Sequence, residues 1–237
     1  MPRGAAIAEQ VSSEEFCPEK RIVFKLILPS IAIACLAAPA MAASEVQCAV
    51  PSDFVDTPPP AIEQAVLVDH VEEITINRPL EVVLAESRRT PIEKTMHGTS
   101  TLPGIAGTHV LRGAWPEPGA LRVVCLTDGG STHEQILANT RDGSTHHFRY
   151  EVWDYTTPQA RPVAYAVGDF LETDLGDGRT RIHWVYSFRL RGNTFPGYLG
   201  PFGRWLFREF WLDTRYAELM RGALTVRKTS AEQEPEK

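Results

Sequence analysis

Residues 164–190 read AYAVGDFLETDLGDGRTRIHWVYSFRL, and this stretch decides the fold. Apolar and polar side chains alternate through Arg181–Leu190, which is the period of a half-buried strand. Asp177-Gly178 separates that segment from the strand-like Ala164–Thr173. Asp-Gly is a strong hairpin signal, because a type I′ turn needs positive φ at both central residues. The stretch therefore predicts two antiparallel strands joined by a tight turn.

The same turn signal occurs twice more towards the N-terminus, at Asp128-Gly129 and Asp142-Gly143. The segments around these turns are Leu121–Thr127, Glu134–Asn139 and His147–Trp153. A run of consecutive antiparallel strands follows from them, and a long aromatic helix from about Pro201 to Arg227 closes the chain. A curved sheet with a helix across its open face forms a cup, whose interior suits a small apolar ligand.

The region before this meander predicts one more strand and two short helices. Val68–Asn77 is strand-like, and Pro79 opens a helix because its fixed φ suits a first turn. A second short helix begins near Pro91, and Gly98–Trp115 predicts an irregular or bulged strand. The predicted fold class is therefore α+β, with about seven antiparallel strands gripping a long C-terminal helix.

The ends of the 237-residue chain differ from its centre. Residues 1–42 carry basic residues, then an apolar run ending in Ala40-Met41-Ala42, which is typical of a signal peptide cleaved near Ala42. We expect export to the periplasm or secretion; the alternative is a retained membrane anchor. Residues 43–64 form a Pro-rich linker, residues 65–228 the folded domain and residues 229–237 a polar tail.

Charge and cysteine content limit the partners. A net charge of −6 without a basic stripe argues against nucleic acid. Cleavage leaves Cys48 and Cys125, which could form a disulfide in an oxidising compartment. Cys125 also suits a small buried hydrophobic position in a strand. Two cysteines this far apart frame no metal site, so we predict neither metal nor cofactor.

At this point the element order resembles the SRPBCC (START-like, helix-grip) superfamily, and within it the polyketide cyclase/dehydrase-like branch. The resemblance covers about residues 68–228. It is carried by the closing helix, by Pro118–Arg122 leading to Thr127-Asp128-Gly129 and Glu134, and by Gly176–Trp184. It implies a cavity between sheet and helix that binds lipids, sterols, polyketides or plant hormones. A minority of the superfamily catalyses cyclisation or dehydration, and it shares no universal catalytic set.

Strand alternation selects the candidate cavity residues. Trp184, Tyr186 and Phe188 share the apolar face of their strand, and Tyr150 shares that of the strand His147–Trp153 with Phe148 and Val152. A two-residue turn at Asp177-Gly178 would place Asp169 opposite Tyr186 and Val167 opposite Phe188, both facing the interior. The alternatives are a bulge that turns Asp169 to solvent, or a carboxylate that is satisfied by one structural hydrogen bond. His146 and His147, being adjacent, point to opposite faces and are expected at the solvent.

The position of Glu134 depends on strand register. With Gly129-Gly130 as the loop, Glu134 lies opposite Cys125 on the apolar face, where a carboxyl could serve as acid or base. A slip of one residue turns it outward. Arg122 is expected on the outer face, with a buried Arg–Glu pair as the alternative. The candidate catalytic residues are Asp169, Glu134 and Tyr186.

Helical spacing predicts that Phe202, Leu206 and Phe210 point into the cavity, with Trp211 on the far side. The apolar, glycine-rich segment Phe195–Phe202 is expected at the cavity mouth.

The sequence is therefore compatible with three functions. The first is binding of a hydrophobic small molecule, lipid or polyketide-like, in a monomer or weak dimer. The second is a cyclase or dehydratase activity by general acid/base chemistry. The third is an interaction domain that uses Phe195–Phe202 against a membrane or a partner. No Gly-x-Ser-x-Gly elbow, dinucleotide fingerprint or phosphate-binding loop supports a common hydrolase, dehydrogenase or kinase.

Overall fold

The computed structural model describes Cys48 and residues 57–233. The predicted signal peptide, most of the predicted linker and the last four residues lie outside this part of the chain. No helix within it is long and apolar enough to cross a membrane.

The predicted α+β helix-grip architecture is confirmed. Seven strands form one antiparallel sheet in the order β1-β7-β6-β5-β4-β3-β2. They are β1 Val68–Ile76, β2 Ile105–Arg112, β3 Leu121–Leu126, β4 Ser131–Asp142, β5 Thr145–Trp153, β6 Val163–Asp174 and β7 Thr180–Leu190. Strand β2 is bulged twice along β3, as its glycines predict.

Helices flank the sheet in the predicted order. Helix α1, Leu80–Arg89, follows β1 and buries Leu80, Val83 and Leu84, while the second predicted helix is a single 3₁₀ turn, Ile92–Lys94. The closing helix runs without a break through α2, Pro201–Phe207, a π-helical segment, Arg208–Tyr216, and α3, Ala217–Glu232. The first four residues of the predicted tail, 229–232, therefore belong to α3.

The turn between β6 and β7 has three residues where a two-residue turn was predicted. The N–H of Leu175 donates to the carbonyl of Arg179 at 2.9 Å, and Gly176 and Gly178 both adopt positive φ. This extra residue shifts the register by one, so Gly168 pairs with Tyr186 and Asp169 pairs with Val185. A shift of one residue exchanges the faces of a strand. The predicted pairing of Asp169 with Tyr186 is wrong for this reason.

The turn between β3 and β4 also differs from the predicted Gly129-Gly130 loop. The N–H of Leu126 donates to the carbonyl of Gly130 at 2.8 Å, which closes a three-residue loop. Arg122 consequently pairs with Glu134, and Cys125 pairs with Ser131. The predicted pairing of Cys125 with Glu134 is wrong, and the alternative of a buried Arg–Glu pair is the observed one.

The convex face of the sheet carries a second apolar cluster, made by Leu121, Trp153, Tyr165 and Val167. Residues 57–67 lie against it, with Ile62 and Leu67 packed on the cluster. The indole N–H of Trp153 donates to the hydroxyl of Thr57 at 3.2 Å, and the N–H of Glu63 donates to the hydroxyl of Tyr165 at 2.8 Å. The described end of the predicted linker, residues 57–64, thus covers part of the sheet.

A disulfide joins Cys48 to Cys125 in β3. Of the two states considered for these cysteines, the bonded one is observed.

Candidate ligand cavity

A cavity of about 1060 Å³ lies between the concave face of the sheet and the closing helix. Three of its lining residues, Ser87, Arg88 and Pro91, are exposed beside the end of α1, and there the cavity meets solvent. Aromatic side chains make up much of the wall: Trp115, Phe148, Tyr150, Tyr155, Phe170, Trp184, Tyr186, Phe188, Trp211 and Tyr216.

The rings on the sheet form a continuous layer, because inward positions of neighbouring strands lie side by side. Phe170 stacks on its cross-strand partner Trp184 with the ring centroids 4.6 Å apart. Tyr186 lies 4.9 Å from Phe188 and 5.1 Å from Tyr216 of the closing helix. Sheet and helix are thereby joined through ring contacts at one end of the cavity.

The π-helical segment fixes which helix residues reach these rings. Phe207 stacks on Trp211 at 4.7 Å, and Trp211 stacks on Tyr216 at 5.3 Å. A π-helix brings residues five apart onto one face, whereas an α-helix does not. Trp211 therefore packs against Phe188 and lines the cavity, contrary to its predicted place on the far side.

Four tyrosine hydroxyls lie within or beside this aromatic wall. Burial raises the pKa of Tyr150, Tyr155, Tyr186 and Tyr216 well above the ordinary value, because a phenolate is poorly solvated there. The hydroxyl of Tyr186 lies beside those of Tyr155 and Tyr216. These groups therefore remain neutral at physiological pH and can donate hydrogen bonds.

Trp184 adds a further donor. Its indole N–H lies beside the Tyr150 hydroxyl, but no acceptor in the described part of the chain is in hydrogen-bond geometry. A buried N–H of this kind can serve a bound molecule.

One buried ion pair belongs to the cavity wall. The Nε of Arg122 lies 2.5 Å from the carboxylate of Glu134, and both side chains are less than one-tenth exposed. The guanidinium also sits 3.6 Å from the centre of the Trp115 ring, in cation–π contact. Glu134 thus faces the interior, which is one of the two positions expected for it. Its carboxylate is paired there with Arg122.

A second polar group lies where β5, β6 and α3 meet. Glu172 accepts hydrogen bonds from Arg227 at 2.6 Å and from His146 Nδ1 at 2.9 Å. Burial alone would raise the pKa of Glu172, but Arg227 and His146 outweigh it and lower the pKa to about 2. The other His146 nitrogen lies 2.8 Å from the amide oxygen of Asn139. His146 is therefore part of the cavity wall, and its predicted solvent position is wrong.

Of the predicted ligand-binding residues, the sheet positions Tyr150, Trp184, Tyr186 and Phe188 line the cavity. Val167 does not, because the shifted register turns it to the convex cluster. Asp169 does not either: it is partly exposed and bonds to His147 at 2.9 Å. Asp169 lies on the outer face, as in the first alternative, but the cause is the shifted register and not a bulge, and the residue has no part in the cavity.

The three helix positions predicted to point inward lie outside the cavity lining. Phe202 and Phe210 are exposed, Leu206 is half-buried, and the inward positions are Gly203, Phe207 and Trp211. The rotation of the helix about its axis is fixed at Gly203, where a Cβ would lie 1.9 Å from the carbonyl oxygen of Pro196. The helix touches the preceding turn there, so Phe202 must turn outward. The segment Phe195–Phe202 is consequently not the mouth of this cavity.

Several wall residues were not predicted from the sequence, and the reasons can be identified. Phe170 is next to Asp169 in β6. A three-residue turn between β6 and β7 would have predicted that Phe170, and not Asp169, faces the cavity. Arg227 and His146 give no periodic signal, because a polar residue that is buried by an ion pair looks the same in the sequence as one that faces solvent. Within the described residues no group of three or more His, Cys, Asp or Glu side chains could hold a metal ion.

No protein-family model and no curated protein sequence matches the chain. Three solved structures with similar folds are Ara h 8.0201, the di-domain ARO/CYC BexL from the BE-7585A biosynthetic pathway, and the Zhui aromatase/cyclase from Streptomyces sp. R1128. Two of these are aromatase/cyclases by name.

The overlap is partial in each case. Ara h 8.0201 is 16% identical to this chain with a TM-score of 0.48. The matched region covers 70% of this chain and 95% of Ara h 8.0201. BexL is 19% identical with a TM-score of 0.49, covering 72% of this chain, which spans about half of that protein (52%). Zhui is 11% identical with a TM-score of 0.49, and the matched region covers 70% of this chain and 94% of Zhui. These similarities concern the fold and leave the function of the cavity open.

Proposed function

We propose that this protein binds a hydrophobic small molecule, lipid or polyketide-like, in the cavity between sheet and closing helix. The single observation that carries the proposal is the aromatic cavity of about 1060 Å³ with an opening beside α1. Packed interiors contain few voids larger than a water molecule. Ligand pockets of roughly 300–1,000 Å³ are typical for drug-sized molecules, so the space is large enough for a ligand of several rings or a folded acyl chain.

The wall favours a molecule with flat rings and a few oxygen atoms. Stacked rings such as Phe170 and Trp184 present π-faces, which suit another aromatic or conjugated system. The Tyr150 and Tyr186 hydroxyls and the Trp184 N–H supply donors within an otherwise apolar wall. A polyketide-like ligand matches this mixture better than a saturated hydrocarbon, which would leave those donors without partners.

The test is native mass spectrometry of the purified protein, followed by titration with a hydrophobic fluorescent probe. Ala223 lies buried in the cavity wall on α3, and Thr225 lies exposed on the same helix. Ala223→Phe should occupy part of the cavity and weaken probe binding by about tenfold or more, equivalent to about 1.4 kcal/mol. Thr225→Phe adds the same ring outside and should leave binding unchanged. Equal binding by both variants and the parent would refute the proposal.

A cyclase or dehydratase activity is the second candidate, favoured by one observation: the carboxylate of Glu134 is buried in the cavity wall and paired with Arg122. Glu134 and Tyr186 remain its candidate groups, because Asp169 lies on the outer face. With an aromatic polyketide-like substrate, Glu134→Gln should lower turnover by roughly 10²-fold, the usual scale of general acid–base catalysis. Probe binding should persist, and Asp169→Asn serves as the control without effect. Unchanged turnover in Glu134→Gln would remove this candidate.

Export belongs to the same proposal. The disulfide between Cys48 and Cys125 supports an oxidising compartment such as the periplasm or the cell exterior. Expression of the full chain should yield an exported product whose N-terminus follows Ala42, measured by intact mass. A product that keeps residues 1–42 in the membrane fraction would favour the anchor instead.

A further inference from the structure

Five large aromatic side chains lie exposed around the start of the closing helix. They are Phe195, Tyr198, Phe202, Trp205 and Phe210, with exposed fractions from 49% to 67%, and we call them the aromatic face. Phe202 stacks on Trp205 with centroids 5.5 Å apart, and Trp205 meets Phe210 edge-on at 6.3 Å. Exposed apolar clusters of this kind mark interaction surfaces, because water contact with them is unfavourable.

Ligand binding in the cavity does not account for the aromatic face. None of its members lines the cavity, whose exposed lining residues are Ser87, Arg88, Pro91 and Gln159. The inward positions of the same helix are already occupied by Phe207 and Trp211. The five rings therefore contribute little to the core and require a separate explanation.

The charge beside the aromatic face is positive. Arg204 and Arg208 flank Trp205 around a small surface cleft that also contacts Leu67 and Val68. Residues 189–215 contain five arginines and two acidic residues, whereas the whole chain has a net charge of −6. Arg189 pairs with Glu63, so an excess of two positive charges remains. A locally cationic surface on an anionic protein indicates an anionic partner.

We propose that the aromatic face, with Arg204 and Arg208, docks the domain on an anionic lipid surface. Tryptophan and tyrosine concentrate at the headgroup level of membranes, because their rings are apolar at one end and polar at the other. Phenylalanine enters the acyl boundary, and arginine binds lipid phosphate through two parallel hydrogen bonds. An anionic bilayer supplies both the apolar depth and the phosphate layer that this combination needs. This function is separate from ligand binding in the cavity.

The test is co-sedimentation of the exported protein with vesicles of phosphatidylcholine alone and with about 30% phosphatidylglycerol. Binding is expected only to the anionic vesicles, and about 0.5 M salt should weaken it because charge attraction is screened. Phe202→Ser with Phe210→Ser, and separately Arg204→Glu with Arg208→Glu, should each lower the partition coefficient by about tenfold or more. These positions are on the surface, so the cavity should still bind the fluorescent probe.

Matched controls keep the result specific. Val110→Ser with Leu171→Ser changes two exposed apolar residues elsewhere, and Arg181→Glu reverses an exposed arginine on β7; neither should alter vesicle binding. Equal binding to both vesicle types would overturn the proposal, as would binding that survives unchanged in the Phe and Arg variants, because another surface would then hold the vesicles. Loss of self-association in the Phe variants, without vesicle binding in the parent, would assign the face to a second copy of the chain instead.

Discussion

Trp211 stacks on Tyr216, with ring centroids 5.3 Å apart, although five residues separate them in one helix. In an α-helix these positions would point in clearly different directions, and the π-helical segment Arg208–Tyr216 is what aligns them. Both rings then contact Phe188 on the sheet. π-Helical turns occur frequently at functional sites, and this one places two aromatic rings in the cavity wall.

The matched pair Trp211→Ala and Phe210→Ala tests this helix phase. Trp211→Ala should lower the free energy of unfolding by about 2 kcal/mol or more, because it removes ring contacts with the core. Phe210→Ala should change it by less than about 0.5 kcal/mol, as expected for a surface position. Urea denaturation measures both values. A larger loss for Phe210→Ala would mean that the α-helical phase predicted from the sequence is correct.

Gly168 is required by the ring of Tyr150, its neighbour across β5 and β6. A Cβ at position 168 would lie 2.1 Å from Cζ of Tyr150, so the ring would have to move. We expect Gly168→Ala to destabilise the protein by about 1–3 kcal/mol, the usual cost of overpacking. Adding Tyr150→Ala should make the glycine change nearly neutral, which a double-mutant cycle detects as coupling.

A helix position serves as the comparison for that cycle. Gly222 on α3 has open space where its Cβ would be, so Gly222→Ala should stabilise by about 0.5–1 kcal/mol through helix propensity. Additive effects of the Gly168 and Tyr150 changes would show that the two do not contact each other.

Arg227 keeps the buried carboxylate of Glu172 paired. Arg227→Met should cost about 3–5 kcal/mol at neutral pH, because it leaves a buried charge without its main partner. Arg227→Met with Glu172→Leu should recover much of the loss. Chemical denaturation of the single and double variants provides the comparison. A double variant as unstable as the single one would show that packing, not the unpaired charge, causes the effect.

The Arg227–Glu172 pair should also make the stability of the protein depend on pH in the acid range. The pKa of Glu172 is lowered from 4.5 to about 2 in the folded protein, so its contribution to stability is present above 4.5. That contribution is lost as the pH falls from 4.5 through about 2. The double variant lacks the carboxyl group and should show a correspondingly weaker loss of Tm in acid. If the double variant loses Tm in acid as much as the parent does, Glu172 is not the group that causes the loss.

Glu151 on the convex face should give the opposite dependence. Burial raises its pKa from 4.5 to about 7, although Arg149 opposes this, and one of its oxygens has no hydrogen-bond partner among the described residues. The folded state therefore binds the proton more tightly than the unfolded chain. Its stabilising contribution is complete below 4.5 and is lost as the pH rises through about 7.

Glu151→Gln tests this dependence, because it keeps the shape of the side chain and removes the titration. The fall in Tm between about pH 5 and about pH 8 should be smaller in the variant than in the parent. Glu218→Gln, at an exposed position on α3, should leave the profile unchanged. Parallel profiles for the parent and Glu151→Gln would show that another group causes the dependence.

The sequence alone determined the order of the elements and the faces within single strands. Trp184, Tyr186 and Phe188 were placed correctly because the alternation of side chains along a strand is a local property of the extended backbone. The glycine-rich turns and the closing helix were likewise evident from residues close together in the chain. These local signals were sufficient for the α+β helix-grip fold and for four of the eight predicted ligand-binding residues.

Tertiary structure decided how the elements are aligned with one another. One extra residue in the β6–β7 turn moved Asp169 outward and brought Phe170 to the cavity, and the π-helical segment exchanged Phe210 for Trp211. The Arg122–Glu134 and Arg227–Glu172 pairs join different strands and helices, and no periodicity within one segment predicts them. Register, helix phase and ion pairing depend on which surfaces meet, and only the packing of the whole chain fixes that.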